Sequence, residues 1–115
     1  MQPEYRAGWI SQSLSRECVN WEPAVDMHQR GNGLAIWAAL PGVEPDHIEV
    51  VMDGAFLVLR GQRQLTVDIR AGNIFHLEIP YGPFERRIHL PPGEYRVLER
   101  RQEYGCLRLQ LEYSP

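Results

Sequence analysis

The sequence predicts an all-β protein, an antiparallel β-sandwich preceded by a short arm of different character. Three observations predict it. From Leu107 to Tyr113, the residues Leu107, Leu109, Leu111 and Tyr113 alternate with Arg108, Gln110 and Glu112, the period of a half-buried strand. The 10 glycines and 9 prolines fall largely between short apolar runs, where they end one strand and turn the chain toward the next. Those runs amount to roughly seven to nine short strands at the spacing of a sandwich. At 115 residues the chain is one domain's length, enough for a single two-layer core.

Residues 1 to 20 form the arm. Tyr5 and Trp9 stand four apart, as do Ile10, Leu14 and Cys18, the spacing of one face of an amphipathic helix. A helix this short is marginal in water. The arm is therefore expected to be partly helical, or disordered until a partner orders it. Val25-Asp26-Met27-His28 then leads into Arg30-Gly31-Asn32-Gly33, whose Asn and Gly suit the positive φ angles of a tight hairpin. Leu34 to Leu40 is apolar on both faces, as an interior strand is, and Pro41-Gly42 stops it. Ile48 to Met52 and Phe56 to Leu59 form a second hairpin across Asp53-Gly54-Ala55. From Gly61 to Gly72 the pattern weakens. Only Leu65-Thr66-Val67-Asp68-Ile69 alternates, so this stretch reads as a long excursion with a short strand of its own. Further strands are expected near Asn73 to Ile79 and from Glu85 to Leu90, the latter ended by Pro91-Pro92-Gly93. Tyr95 to Arg101 suits a strand or, through Tyr95, Leu98 and Gln102, a helix face.

Composition narrows the chemistry. There are 12 basic against 15 acidic side chains, a formal charge of −3, which argues against a dedicated nucleic-acid binder. All 12 basic residues are Arg. Without Lys, neither a Schiff base nor a phosphate-gripping loop lysine is available. The longest apolar run, Leu34 to Leu40, is far shorter than the roughly 20 residues of a membrane-spanning helix, so no membrane partner is expected. Nothing at the N-terminus resembles a signal peptide, and Cys18 and Cys106 have no metal-like spacing, which suits free thiols in a cytoplasmic protein. His28, His47, His76 and His89 lack ligand spacing. No serine sits in a nucleophile-elbow setting. The residues therefore predict no enzyme, no cofactor and no metal.

Three clusters, taken together, resemble the small heat-shock protein family and its α-crystallin domain. The first is Leu40-Pro41-Gly42-Val43 with Ile48 and Val50, then Asp53-Gly54, Leu57 and Arg60-Gly61-Gln62-Arg63. The second is Glu78 with Tyr81-Gly82-Pro83-Phe84-Glu85-Arg86-Arg87-Ile88-His89-Leu90-Pro91. The third is Gly105-Cys106-Leu107 and the alternating strand after it. The resemblance covers residues 21 to 113 and implies an immunoglobulin-like sandwich, with residues 1 to 20 a variable arm and 114 to 115 a truncated tail. It also implies an ATP-independent holdase chaperone that binds partly unfolded client proteins and suppresses their aggregation. In the arm, Tyr5, Trp9, Ile10 and Leu14 would cap apolar client surface, or equally pack on their own domain or a neighbouring subunit. The stretch from Arg63 to Glu78 is similar to a long loop that exchanges a strand within a homodimer, which is favoured over an ordinary intrachain hairpin. Phe75, Leu77, Glu78 and Ile79 are then interface residues, and Arg86, the motif arginine, joins them through a planar guanidinium that Lys does not reproduce. Arg87 should point the other way, into solvent. Trp21 and Trp37 are expected in the core or at a seam. Residues 31 to 59 hold four acids and no Arg, whereas 60 to 108 hold nine Arg against six acids, an asymmetry suited to pairing unlike subunit surfaces.

The sequence also departs from the family. Members usually carry an Ile-X-Ile tail that docks in a neighbour's groove and builds higher oligomers. This chain ends at Tyr113-Ser114-Pro115: either the tail has been cut away, or assembly stops at dimers or modest oligomers. Near residues 95 to 103 an inward charge is unavoidable, Arg100 after Leu98 or Glu99 after Val97. The register must shift, the strand shorten or the groove be remodelled. Tyr104 replaces a small turn-forming residue before Gly105. The missing tail favours an alternative, a non-holdase interaction module: a divergent regulatory or capping subunit of chaperone assemblies, or a CS-domain-like co-chaperone, the last opposed by the Tyr81 to Arg86 cluster and the long loop.

Overall fold

The computed structural model describes residues 19 to 114. It contains seven strands: β1 (Val25–Arg30), β2 (Gly33–Ala39), β3 (Ile48–Asp53), β4 (Phe56–Arg63), β5 (Gly82–His89), β6 (Tyr95–Glu103) and β7 (Cys106–Tyr113). One short helix, α1 (Val67–Ala71), lies between β4 and β5, and a 3-10 turn, Pro45–His47, precedes β3. Two antiparallel sheets result. One has four strands in the order β1-β2-β7-β6, the other three in the order β3-β4-β5.

The predicted alternation sets what each sheet turns inward. Leu34, Ile36 and Ala38 of β2 stand opposite Leu111, Leu109 and Leu107 of β7. These six meet Ile48, Leu57, Leu59, Phe84 and Ile88 of the other sheet in one buried cluster. Burying side chains of this kind contributes roughly 1.5–3 kcal/mol each, set against the conformational entropy of ordering the chain. The interior position expected for residues 34 to 40 follows from topology, since β2 is hydrogen-bonded on both sides. Gly61 sits where β4 passes beneath the turn before β3. A Cβ there would overlap the His47 carbonyl oxygen and approach Phe84 Cζ to 2.8 Å, which is why the Arg60-Gly61-Gln62-Arg63 motif holds glycine at that point.

Several local expectations are corrected. Residues 65 to 69 do not form a strand. Thr66 accepts the Ile69 N–H at 3.2 Å and caps α1, which satisfies a backbone that has no neighbouring strand to bond. Asn73 to Ile79 joins neither sheet, and among the described residues no strand pairs with it. In the first hairpin Gly31 alone takes a positive φ, +57°, and Asn32 does not. The ambiguity at Tyr95 resolves to strand, and the sandwich stands at the lower end of the expected strand count.

Candidate functional site

A β-sandwich can interact through its sheet edges and exposed segments, and the two sheets present four edges: β1, β6, β3 and β5. Their residues determine how each is used.

The β5 edge is partly covered by the chain's own lead-in. Trp21 makes a parallel bridge to Phe84, with the Asn20 N–H donating to the Pro83 carbonyl at 2.9 Å and the Glu85 N–H to the Trp21 carbonyl at 3.3 Å. The Trp21 ring lies 5.0 Å from Phe84, and its Nε1 donates to the Gly82 carbonyl at 3.2 Å, so Trp21 is the seam residue expected. Gly82 has φ +90°, and a Cβ there would meet Asn20 Nδ2 at 2.5 Å. The Tyr81-Gly82-Pro83-Phe84 motif is thus the seat of this lead-in.

Arg86 belongs to the same seam. It is half-buried, and its Nη1 donates to the Pro23 carbonyl at 3.0 Å, which fixes the chain as it crosses from β5 to β1. Arg87 does face outward, but it is paired rather than free: its Nη2 lies 3.3 Å from Asp53 Oδ2, and its guanidinium sits 4.8 Å above the Phe56 ring. On the other sheet Trp37 is half-buried, with the Arg108 guanidinium 5.5 Å from its ring.

The β3 and β6 edges are held by side chains that sequence reasoning did not assign. Leu98 is a bulge that shifts the β6 register between Val97 and Glu99. Of the outcomes expected for residues 95 to 103, the register shift is the one that occurs, and the strand is not shortened. It sets Arg100 opposite Leu109 and Gln102 opposite Leu107, on the inward face. At an edge that face opens to the rim. Arg100 Nη2 reaches the Pro45 carbonyl at 3.1 Å and the Ile48 carbonyl at 2.9 Å, and Gln102 Nε2 reaches the Val43 carbonyl at 3.2 Å. The unavoidable charge in the sequence was the signal; its partners were invisible because they are backbone atoms about fifty residues away in sequence.

The β1 edge is different. Among the described residues, its hydrogen bonds run only to β2, and Asp26 to Arg30 are exposed. Beside it lies a cavity of about 410 Å³ lined by Met27, Leu34, Pro91, Tyr95 and Tyr113 together with polar groups of the first hairpin.

The segment expected to exchange has the complementary character. Phe75 is 90% exposed, Ile79 58% and Ile74 50%, while Leu77 is half-buried. Glu78 is exposed beside His76, its Oε2 3.8 Å from the His76 Nδ1. Arg63 ties the roots of this excursion, donating from Nε to the Pro41 carbonyl at 2.8 Å and from Nη1 to the Pro80 carbonyl at 3.1 Å. Phe75, Leu77, Glu78 and Ile79 are therefore together on one segment, whereas Arg86 lies apart in the Trp21 seam. Tyr5, Trp9, Ile10 and Leu14 lie outside the described residues. Among the described residues, no three or more His, Cys, Asp or Glu side chains form a group that could hold a metal ion, and no helix is long and apolar enough to cross a membrane.

Comparison with known proteins agrees with this architecture. The family model described as "Hsp20/alpha crystallin family" matches residues 26–112. The chain is 29% identical over 93 residues to small heat shock protein C2 of Rickettsia felis, covering 80% of this chain and 60% of that protein. It is 36% identical over 86 residues to a 16.6 kDa heat shock protein of Oryza sativa, covering 70% of this chain and 57% of that one. The chain thus spans less than two thirds of the length of these relatives. Among solved structures, hspA from Xanthomonas axonopodis superposes with a TM-score of 0.72 at 30% identity, covering 84% of this chain and 98% of that one. A small heat-shock protein from Xylella fastidiosa gives 0.69 at 28% identity, covering 83% and 88%.

Proposed function

The chain belongs to the Hsp20/alpha crystallin family, and from that premise we propose that it is an ATP-independent holdase chaperone working from a strand-exchanged homodimer. The observation that carries the reading is one chain holding both halves of a joint. Residues 73 to 80 present exposed apolar side chains with no strand beside them, and β1 presents a sheet edge with no described partner on its outer side. Among the described residues neither half is closed by another strand. Between two copies, the segment of one adds to the β1 edge of the other, the main chain supplying hydrogen bonds and Phe75, Leu77 and Ile79 the apolar contact.

Holding a client needs apolar surface that is available without being so extensive that the protein aggregates itself. In this reading the exchange buries the segment in the resting dimer and exposes it when subunits part. The arm residues Tyr5, Trp9, Ile10 and Leu14 supply further apolar contact. No reaction is assigned to the protein, and its partners are partly unfolded proteins in the cytoplasm rather than nucleic acid or a membrane. Clients bind broadly, since apolar burial is not directional.

Suppression of heat-induced aggregation tests the function. With ATP absent, substoichiometric to equimolar chain should lower the light scattering of a model client. Scattering unchanged at several-fold excess would remove the holdase reading.

A further inference from the structure

We propose that Arg100 and Gln102 form a latch closing the slot between the edges of β3 and β6, so that strand exchange is directed to β1 and the assembly does not grow through a second edge. This rests on the exchange reading above and adds to it which edge is refused, and by which residues.

A chain that carries an exposed strand-forming segment and several sheet edges offers that segment more than one place to pair. The edges β3 and β6 lie close enough for side chains of one to reach the backbone at the start of the other. In this sandwich β6 continues the inward row of the four-stranded sheet, with Val97 opposite Leu111, Arg100 opposite Leu109 and Gln102 opposite Leu107. An apolar residue in the last two places would leave a greasy slot along the rim, suited to alternate side chains of an added strand. Arg100 and Gln102 instead span it and donate to three backbone carbonyls, those of Pro45, Ile48 and Val43. Acceptors engaged in this way are withdrawn from any incoming strand. The Leu98 bulge sets the phase that puts both side chains on the inward face, and it breaks the even ladder that edge pairing needs. An inward charge and a bulge on one edge strand are two recognised devices against unwanted pairing.

The occupant that the latch excludes is residues 74 to 79 of a second copy, whose Phe75 and Ile79 are exposed. Entry would require at least three side chain to carbonyl bonds to break, and β1 makes no such demand.

The test compares the full chain with Arg100→Ala/Gln102→Ala, and with Arg100→Met as a second variant that keeps the packing of the stem and lacks the donors. Solution mass is measured by light scattering across a concentration series, and amide hydrogen exchange is followed at 48 to 53 and 95 to 103. The unaltered chain should show the same exchange at these residues across the series. Each variant, with its cooperative thermal transition retained, should reach at least twice the mass of the unaltered chain and gain protection there as concentration rises. Variants that fold but keep the original mass and exchange pattern would overturn the latch, as would concentration-dependent protection of 48 to 53 and 95 to 103 in the unaltered chain. Should the double variant fail to fold, Arg100→Met decides by the same two readouts. A monomeric unaltered chain would instead remove the exchange reading, while the difference between variant and parent still judges the latch.

Discussion

Single residues set three properties of this fold, and each makes a distinct prediction. Tyr104 occupies the β6–β7 turn with φ +52°, a region costly to a bulky side chain, and 92% of it is exposed, so packing does not compensate. Tyr104→Asn should therefore raise the stability by about 1 kcal/mol, seen as a higher denaturation midpoint at unchanged slope. An equal or lower midpoint would show that the turn is not strained. Phe84 is fully buried and links the Trp21 seam to the core; its truncation to Ala should cost about 3–5 kcal/mol by the same measurement. For Arg86 the bond to the Pro23 carbonyl is charge-assisted and half-buried, so Arg86→Ala should lose about 1.5–3 kcal/mol. Residue identity was legible at all three positions, since Tyr104 stood out as a misfit and Phe84 and Arg86 belong to one motif. What Arg86 touches was not legible: Pro23 lies 63 residues earlier, and only the crossing from β5 to β1 brings them together.

Elements were readable wherever both faces of the decision lay within the element. The alternation of β7 and the apolar runs of β2 and β4 record which side chains meet the core; β2 and β7 fall where the sequence places them, while β4 starts as placed but runs on to Arg63, into what the sequence reads as the excursion. Legibility failed where the outcome depends on a neighbour. Residues 65 to 69 alternate as a strand would, but with no strand beside them the Thr66 cap makes a turn of helix the better use of the backbone. Residues 73 to 79 also alternate, and among the described residues they pair with no strand. The exchange reading accounts for that pattern by placing the neighbour in another molecule. Phe75→Ala/Ile79→Ala should then shift the chain from dimer toward monomer in a dilution series followed by light scattering, with the thermal transition of the sandwich changed little. A dimer as tight as the parent's would show that these side chains lie outside the interface. For β6, a charge on the inward face was foreseeable, but its three carbonyl partners belong to the opposite layer.

At the scale of the molecule, the four edges divide the labour. The lead-in through Trp21 covers part of β5, Arg100 and Gln102 tie β6 to the start of β3, and among the described residues β1 pairs only with β2. In the exchange reading, a second copy closes the β1 edge with residues 73 to 80, which would remove an aggregation hazard and create a store of apolar surface released when subunits part. In that reading the charge asymmetry between residues 31 to 59 and 60 to 108 would steer pairing more than hold it, because exposed ion pairs such as Arg101–Glu99 at 3.4 Å contribute little individually. Amide hydrogen exchange of the full chain across a concentration series tests the central claim most directly. The account predicts that residues 25 to 30 and 73 to 80 become protected together as the dimer forms, and that both lose protection in Phe75→Ala/Ile79→Ala. Rapid exchange at both segments, at concentrations where the measured mass is that of a dimer, would contradict it.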